Sequence, residues 1–196
     1  IAHWNLCRLA QSILPLIDND EDQAIAKAEL ILNQFPDQYH HYFYCQMRFK
    51  LGLLTPHESD QPLIDQLLTI LKDDALDFTN TFVRLTYYLH QSFDPSVFAD
   101  ESQSPAFHQW VDAWKTRLET ETLSDSVSVM HYSNPKVIPR NHIVESVIQS
   151  AVLNRDFEPM RTFFEVLKHP FQSPVLSDYI TPPKPDQHVQ YTFCGT

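Results

Sequence analysis

Apolar residues recur every three to four positions along most of the chain, the spacing that places side chains on one face of an α-helix. The first such run contains Trp4, Leu6, Leu9, Ala10, Ile13 and Leu14. Seven further helices are predicted, over roughly residues 24–35, 39–51, 60–72, 77–90, 107–118, 143–151 and 157–167. No strand–helix alternation interrupts them. The sequence therefore predicts an all-α protein, an irregular bundle of about eight helices with an extended C-terminal tail.

Polar residues and prolines mark the ends of these helices. Asp60 is the predicted N-cap of the fourth helix, and Asp77 or Thr79 starts the fifth. On the sixth helix, Phe107, Trp110, Val111, Trp114 and Leu118 form the predicted core face, with His108, Asp112, Lys115 and Arg117 on the wetter side. We expect one helical domain over residues 1–196, made of N-terminal helices (1–91), a loop (92–105), C-terminal helices (106–170) and an extended tail (171–196).

The charge balance narrows the possible partners. The chain has 25 acidic and 14 basic residues, a formal net charge of −11 at pH 7. Nucleic acids and anionic membranes require clustered Lys and Arg, so neither is an expected partner. The three cysteines form no CxxC pair, and no apolar run approaches the roughly 20 residues that cross a bilayer. We therefore expect a cytoplasmic protein in a reducing compartment.

Glycine is scarce, since Gly52 and Gly195 are the only two in the chain. A phosphate-binding loop or a dinucleotide fingerprint needs glycines at fixed offsets, where the backbone must approach the ligand closely. Neither of these nucleotide-binding motifs can therefore be built from this chain.

A few residues could still carry chemistry, and each has a plainer interpretation. His40 and His41 point about 100° apart on a helix, so an exposed aromatic face is favoured over a metal pair. Asp73, Asp74 and Asp77 could hold Mg²⁺, but helix capping is favoured for closely spaced Asp between helices. Cys7 and Cys45 fall on apolar helix positions and are predicted core residues. Cys194, near the end of the tail, is either an oxidation-prone thiol or an unimportant tail cysteine.

A stretch rich in proline and basic residues precedes the seventh predicted helix. Asn134 before Pro135 is pushed out of the α region, and Pro139 suits the entry to the next helix. Lys136 and Arg140 can bind carbonyl ends or carboxylates of neighbouring helices. On its residues alone, the stretch is a rigid corner between helices that is held by one buried arginine.

Several segments together resemble one protein family. NPKVIPRNHIVESVIQSAVLNRDFEPMRTFFEVLKHPF resembles a segment of the selenoprotein O family, the YdiU proteins of bacteria, that reads NPK, apolar residues, RN, a helix, a D-F turn and another helix. AHWNLCRLAQSILPLI resembles the WNL-x-RLA helix of that family, and MRFKLGL, LDFTNTFVRL and TFCGT resemble three further segments. The chain departs from the family pattern at Pro139, where an apolar residue is more typical, and at His142, where an aromatic one is.

The resemblance implies the helical C-terminal part of a protein adenylyltransferase with a kinase-like fold. Such an enzyme transfers AMP from ATP, with Mg²⁺ or Mn²⁺, to Ser, Thr or Tyr hydroxyls of protein substrates. Its catalytic, ATP-binding and metal-binding residues lie N-terminal to the WNL helix, so the upstream kinase-like region is the expected partner. The family-motif residues Asn134, Pro135, Lys136, Arg140 and Asn141 are expected to be structural, orienting the last two helices.

The resemblance also assigns a role to the tail. Cys194 corresponds to the terminal Cys, or selenocysteine in eukaryotic members, of a redox pair whose partner lies in the kinase-like part. We expect a free thiol in this chain, and in the complete protein a disulfide that lowers activity until it is reduced. A helical lobe without its catalytic half should also expose an apolar patch, first of all on helix one. The competing hypothesis is an acidic helical interaction module without catalysis.

Overall fold

The structure is a computed structural model that describes residues 1–91, 93, 104–172 and 177–187, apart from the side chain of Ser177. Nine α-helices lie in these ranges: α1 (Ala2–Ile17), α2 (Glu21–Leu32), α3 (Phe35–Lys50), α4 (Asp60–Asp73), α5 (Phe78–His90), α6 (Pro105–Leu118), α7 (Leu123–Ser133), α8 (Asn141–Asn154) and α9 (Glu158–Leu167). Short 3-10 turns follow at Ser177–Tyr179 and Pro185–Gln187. The described residues contain no strand, so the predicted all-α class is confirmed.

The structure adds one helix, α7, to the eight that the apolar pattern predicts. Its only buried residues are Ser126 and Met130, so its sequence shows no continuous apolar face. The prediction for Asp60 was wrong, because Ser59 occupies the N-cap of α4 and Asp60 is a buried first residue of that helix. Asp77 does cap α5, since its carboxylate accepts the backbone N–H of Asn80 at 2.8 Å. The predicted loop over 92–105 lies largely outside the described residues and stays a prediction.

The chain forms two compact units, Ile1–Met47 and Arg48–Thr196. In the first unit, α1 packs against α2, where the small side chains of Ala24 and Ala28 are buried. Large apolar side chains on α1 stay exposed, among them Leu9 and Leu16 at 56% and 85%. The predicted apolar patch on the first helix is therefore confirmed.

The core of the second unit is built on α6. Phe107, Trp110 and Trp114 are fully buried, as the sequence predicts, and the two indole rings stack with centroids 5.8 Å apart. Each indole N–H also has a backbone acceptor: Trp110 donates to the Leu63 carbonyl at 2.8 Å and Trp114 to the Leu51 carbonyl at 2.9 Å. These bonds satisfy the buried indole donors and fix α6 against α4 and the end of α3.

Gly52, two residues after the end of α3, lies where a side chain would be strained and crowded. Its φ is +74°, and an added Cβ would lie 3.1 Å from both Met130 Sδ and Ser126 Cβ, which belong to buried residues of α7. We predict that Gly52→Ala lowers the free energy of unfolding by about 1–3 kcal/mol, measured by urea denaturation. Ala75→Gly is the matched control with opposite sign, because Ala75 holds φ +52° without being glycine. Equal midpoints for Gly52→Ala and the unmodified chain would contradict the prediction.

Candidate functional site

The proline-rich stretch forms an elbow, residues Asn134–Asn141, that joins α7 to α8. Asn134 is extended, with φ −114° and ψ 92°, as the following proline favours. The backbone N–H groups of Lys136 and Val137 donate to the carbonyl of Pro170 at 2.7 and 3.2 Å. The elbow therefore holds the segment after α9 as well as the two helices that it connects.

Asn134 clamps one end of the elbow to α3 and α5. Its buried amide nitrogen donates to the Lys50 carbonyl and to Thr86 Oγ1, both at 2.9 Å. In return, Lys50 Nζ donates to Asn134 Oδ1 at 3.1 Å and to the Ser133 carbonyl at 3.0 Å. Both the amide nitrogen and the amide oxygen of Asn134 thus have partners, which a buried amide requires.

Lys50 is a cation without an acidic partner among the described residues. Its charge lies instead at the C-terminal end of α7, where the helix dipole favours a cation, and 5.0 Å from the centroid of the Phe82 ring. Burial lowers the pKa of Lys50. The ammonium group is therefore committed to the elbow rather than exposed for phosphate binding.

Arg140 clamps the other end of the elbow to the start of α5. Its two Nη atoms donate to the two carboxylate oxygens of Asp77 at 2.8 and 2.9 Å, and Nη2 also donates to Asn80 Oδ1 at 3.2 Å. Burial on its own raises the pKa of Asp77. The hydrogen bonds from Arg140 and from the Asn80 backbone, with the charge of Arg140, outweigh burial and hold that pKa below its ordinary value.

Three of the segments that carry the family resemblance meet at this elbow. Lys50 belongs to MRFKLGL, Asp77 and Asn80 belong to LDFTNTFVRL, and Asn134 and Arg140 belong to the NPK and RN elements. Sequence reasoning named Asn134, Lys136 and Arg140 but missed Lys50 as the partner of Asn134. The joint resemblance of distant segments was the signal that could have indicated their contact.

A second buried polar cluster surrounds Arg117. The sequence predicted this residue on the wetter side of α6, but the structure buries it. Its Nε donates to Asp60 at 2.7 Å, Nη1 to Glu121 at 3.1 Å and Nη2 to the Thr55 carbonyl at 2.5 Å. Burial alone lowers the pKa of Arg117, but the hydrogen bonds and charges of Asp60 and Glu121 outweigh burial and raise it. The cluster is a structural ion pair that joins α4 to α6.

The other candidate residues do not converge. His40 and His41 are exposed on α3, and Cys7 and Cys45 are half-buried rather than within the core. Cys194 lies outside the described residues. Within the ranges that the structure describes, no group of three or more His, Cys, Asp or Glu side chains could hold a metal ion. The described helices are also too short or too polar to cross a membrane.

Comparison with known proteins shows which family this chain resembles. The family model for protein adenylyltransferase SelO matches residues 1–168. Protein nucleotidyltransferase YdiU of Geobacillus kaustophilus (strain HTA426) is 41% identical over 199 residues, covering 100% of this chain and 40% of the relative. The proteins of the same name from Bradyrhizobium sp. (strain BTAi1) and Rhodopseudomonas palustris (strain BisB18) are 41% and 39% identical, with the same coverage. The chain thus spans about 40% of the length of these relatives.

Proposed function

Because the chain belongs to the SelO family of protein adenylyltransferases, we propose that it is the helical C-terminal region of a cytoplasmic protein nucleotidyltransferase. The complete enzyme transfers AMP from ATP to Ser, Thr or Tyr hydroxyls of protein substrates. The observation that carries this proposal is the alignment of the whole chain with 40% of the length of the YdiU proteins. ATP, Mg²⁺ or Mn²⁺ and the catalytic residues belong to the kinase-like part of the family polypeptide that this chain does not span.

In this proposal the elbow is a positioning device, not a reacting group. Two buried clamps support that role, because Asn134 and Arg140 each satisfy polar groups on helices far away in sequence. Asn80 extends the same network, since its amide nitrogen donates to the Ile180 carbonyl at 3.2 Å. The elbow, with Pro135, Lys136 and Asn141, thereby fixes the direction in which α8, α9 and the C-terminal segment leave the core.

The tail supplies a regulatory element in the same proposal. Cys194 and a cysteine of the kinase-like part lose two protons and two electrons to a cellular oxidant and form a disulfide that lowers AMP transfer. A dithiol reductant returns both thiols and restores activity. The resemblance of TFCGT, which contains Cys194, to a cysteine-bearing segment of the family supports this role.

The test compares the complete polypeptide that contains this chain with the 196-residue chain, using labelled ATP and either Mg²⁺ or Mn²⁺. We expect label on protein only with the complete polypeptide, more of it after reduction, and no effect of reductant in a Cys194→Ser variant. No labelling by the complete polypeptide under any of these conditions would favour the alternative, a non-catalytic acidic helical interaction module. Labelling by the short chain alone would show that the active site had been placed wrongly.

A further inference from the structure

The first unit, Ile1–Met47, has almost no core of its own. All its residues are described, and its buried hydrophobic residues are Ala24, Ala28 and Met47. A unit of this size is marginal even when it buries its large apolar side chains, since small domains expose a high fraction of their surface. The first unit therefore lacks the apolar burial that a separately stable body needs.

Helix α1 has the composition of a helix that is covered on more than one side. Only Arg8 among its 16 residues is an Asp, Glu, Lys or Arg, and its guanidinium lies over the Trp4 ring, 5.6 Å from the centroid. A helix that faces water on one side normally carries several charged residues there. Packing of α2 against α1 therefore does not by itself explain why α1 has only one charged residue.

Three exposed apolar residues of α1 lie along one flank of the helix, whereas Trp4, 62% exposed, lies on another side. Leu9, Ile13 and Leu16 follow the spacing i, i+4, i+7, which aligns them along one flank of the helix. Their exposed fractions are 56%, 37% and 85%. We call these three residues the α1 strip.

We propose that the α1 strip packs against the part of the family polypeptide that this chain does not span. This inference rests on the proposed function. Length and area together indicate the partner of the α1 strip. Relatives are about two and a half times as long as the span matched here, so the family polypeptide contains a larger part outside this span. Three partly exposed side chains offer roughly a few hundred Å², short of the roughly 800 Å² per partner typical of separate proteins. A covalently attached partner needs less contact, because its effective concentration is high.

Carbene footprinting tests the contact without relying on activity. The 196-residue chain and the complete polypeptide are labelled in parallel, and modification of Leu9 and Leu16 is read by mass spectrometry. We expect several-fold less modification of both residues in the complete polypeptide. Tyr132 on α7, a residue of the second unit that is 77% exposed, serves as the reference. Equal modification of Leu9 and Leu16 in the two proteins, after normalisation to Tyr132, overturns the inference.

Matched variants give a second measurement. Leu9→Asp/Leu16→Asp should leave the helical circular dichroism and Tm of the short chain unchanged, because both side chains are exposed, and should lower the Tm of the complete polypeptide by several degrees. Gln11→Asp, an exposed position on the opposite flank of α1, should change neither protein. A Tm loss of the same size in the short chain would place the strip in internal packing, and no loss in the complete polypeptide would remove the contact. AMP transfer without protection of the strip would defeat this inference alone, whereas protection without AMP transfer would defeat the proposed activity alone.

Discussion

Arg117→Met is expected to lower the free energy of unfolding by about 3–5 kcal/mol, the largest single effect in the second unit. Asp60 is 3% exposed, and the substitution removes the guanidinium that lies 2.7 Å from its carboxylate. Arg48 Nε forms a longer ion pair with Asp60, at 3.9 Å, which is beyond hydrogen-bonding distance and so replaces Arg117 only in part. Urea denaturation followed by the fluorescence of Trp110 and Trp114 measures the loss.

The control for Arg117 is an exposed ion pair. Lys27→Met removes the partner of Asp18 at the surface and should leave the midpoint nearly unchanged, since exposed pairs contribute little. Asp60→Asn in the Arg117→Met background should recover part of the lost stability, because it removes a buried charge that has lost its hydrogen-bonded partner. A loss for Arg117→Met no greater than that for Lys27→Met would show that the cluster does not stabilise the fold.

Arg140→Met is expected to lower the free energy of unfolding by about 2–4 kcal/mol at neutral pH. It should also remove the part of that free energy that is lost on acidification. The folded-state pKa of Asp77 lies below its ordinary value of about 3.9. The stabilisation from this carboxylate is therefore fully present above about pH 5 and is lost as the pH falls through the folded-state pKa. The free energy of unfolding should decline more steeply between pH 7 and pH 2 for the unmodified chain than for Arg140→Met.

Two variants control the elbow prediction. Arg140→Lys keeps the charge but loses the two parallel hydrogen bonds to Asp77. Its free energy of unfolding should therefore lie between those of the unmodified chain and Arg140→Met. Arg161→Met removes an exposed partner of Glu158 and should change the acid slope little. Identical slopes for the unmodified chain and Arg140→Met would mean that Arg140 does not set the pKa of Asp77.

The sequence predicted features that depend on periodicity. The aromatic face of α6 could be predicted because Phe107, Trp110 and Trp114 repeat at helical spacing, and large apolar side chains have no better place than the core. Helix α7 could not be predicted, since Ser126 and Met130 bury too little apolar surface to mark a face. Its position depends instead on the Ser126 hydroxyl, which donates to the Gly52 carbonyl at 2.7 Å.

Polar partners were predicted by type but not by position. The sequence predicted a carboxylate or carbonyl partner for Arg140. Local spacing does not indicate that this partner is Asp77. Arg117 appeared on the polar side of α6 because burial of a charge depends on a partner from another helix, here Asp60. Such pairs follow from tertiary packing, which a helical pattern does not contain.

The elbow clamps join residues that are far apart along the chain, with 84 positions between Lys50 and Asn134 and 63 between Asp77 and Arg140. During synthesis the ribosome adds about 5–20 residues per second. Lys50 and Asp77 therefore emerge roughly 3–17 s before their partners. Through that interval Lys50 and Asp77 are charged groups that lack their final partners, Asn134 and Arg140. A nascent chain therefore cannot complete the second unit until the NPK and RN elements have left the exit tunnel.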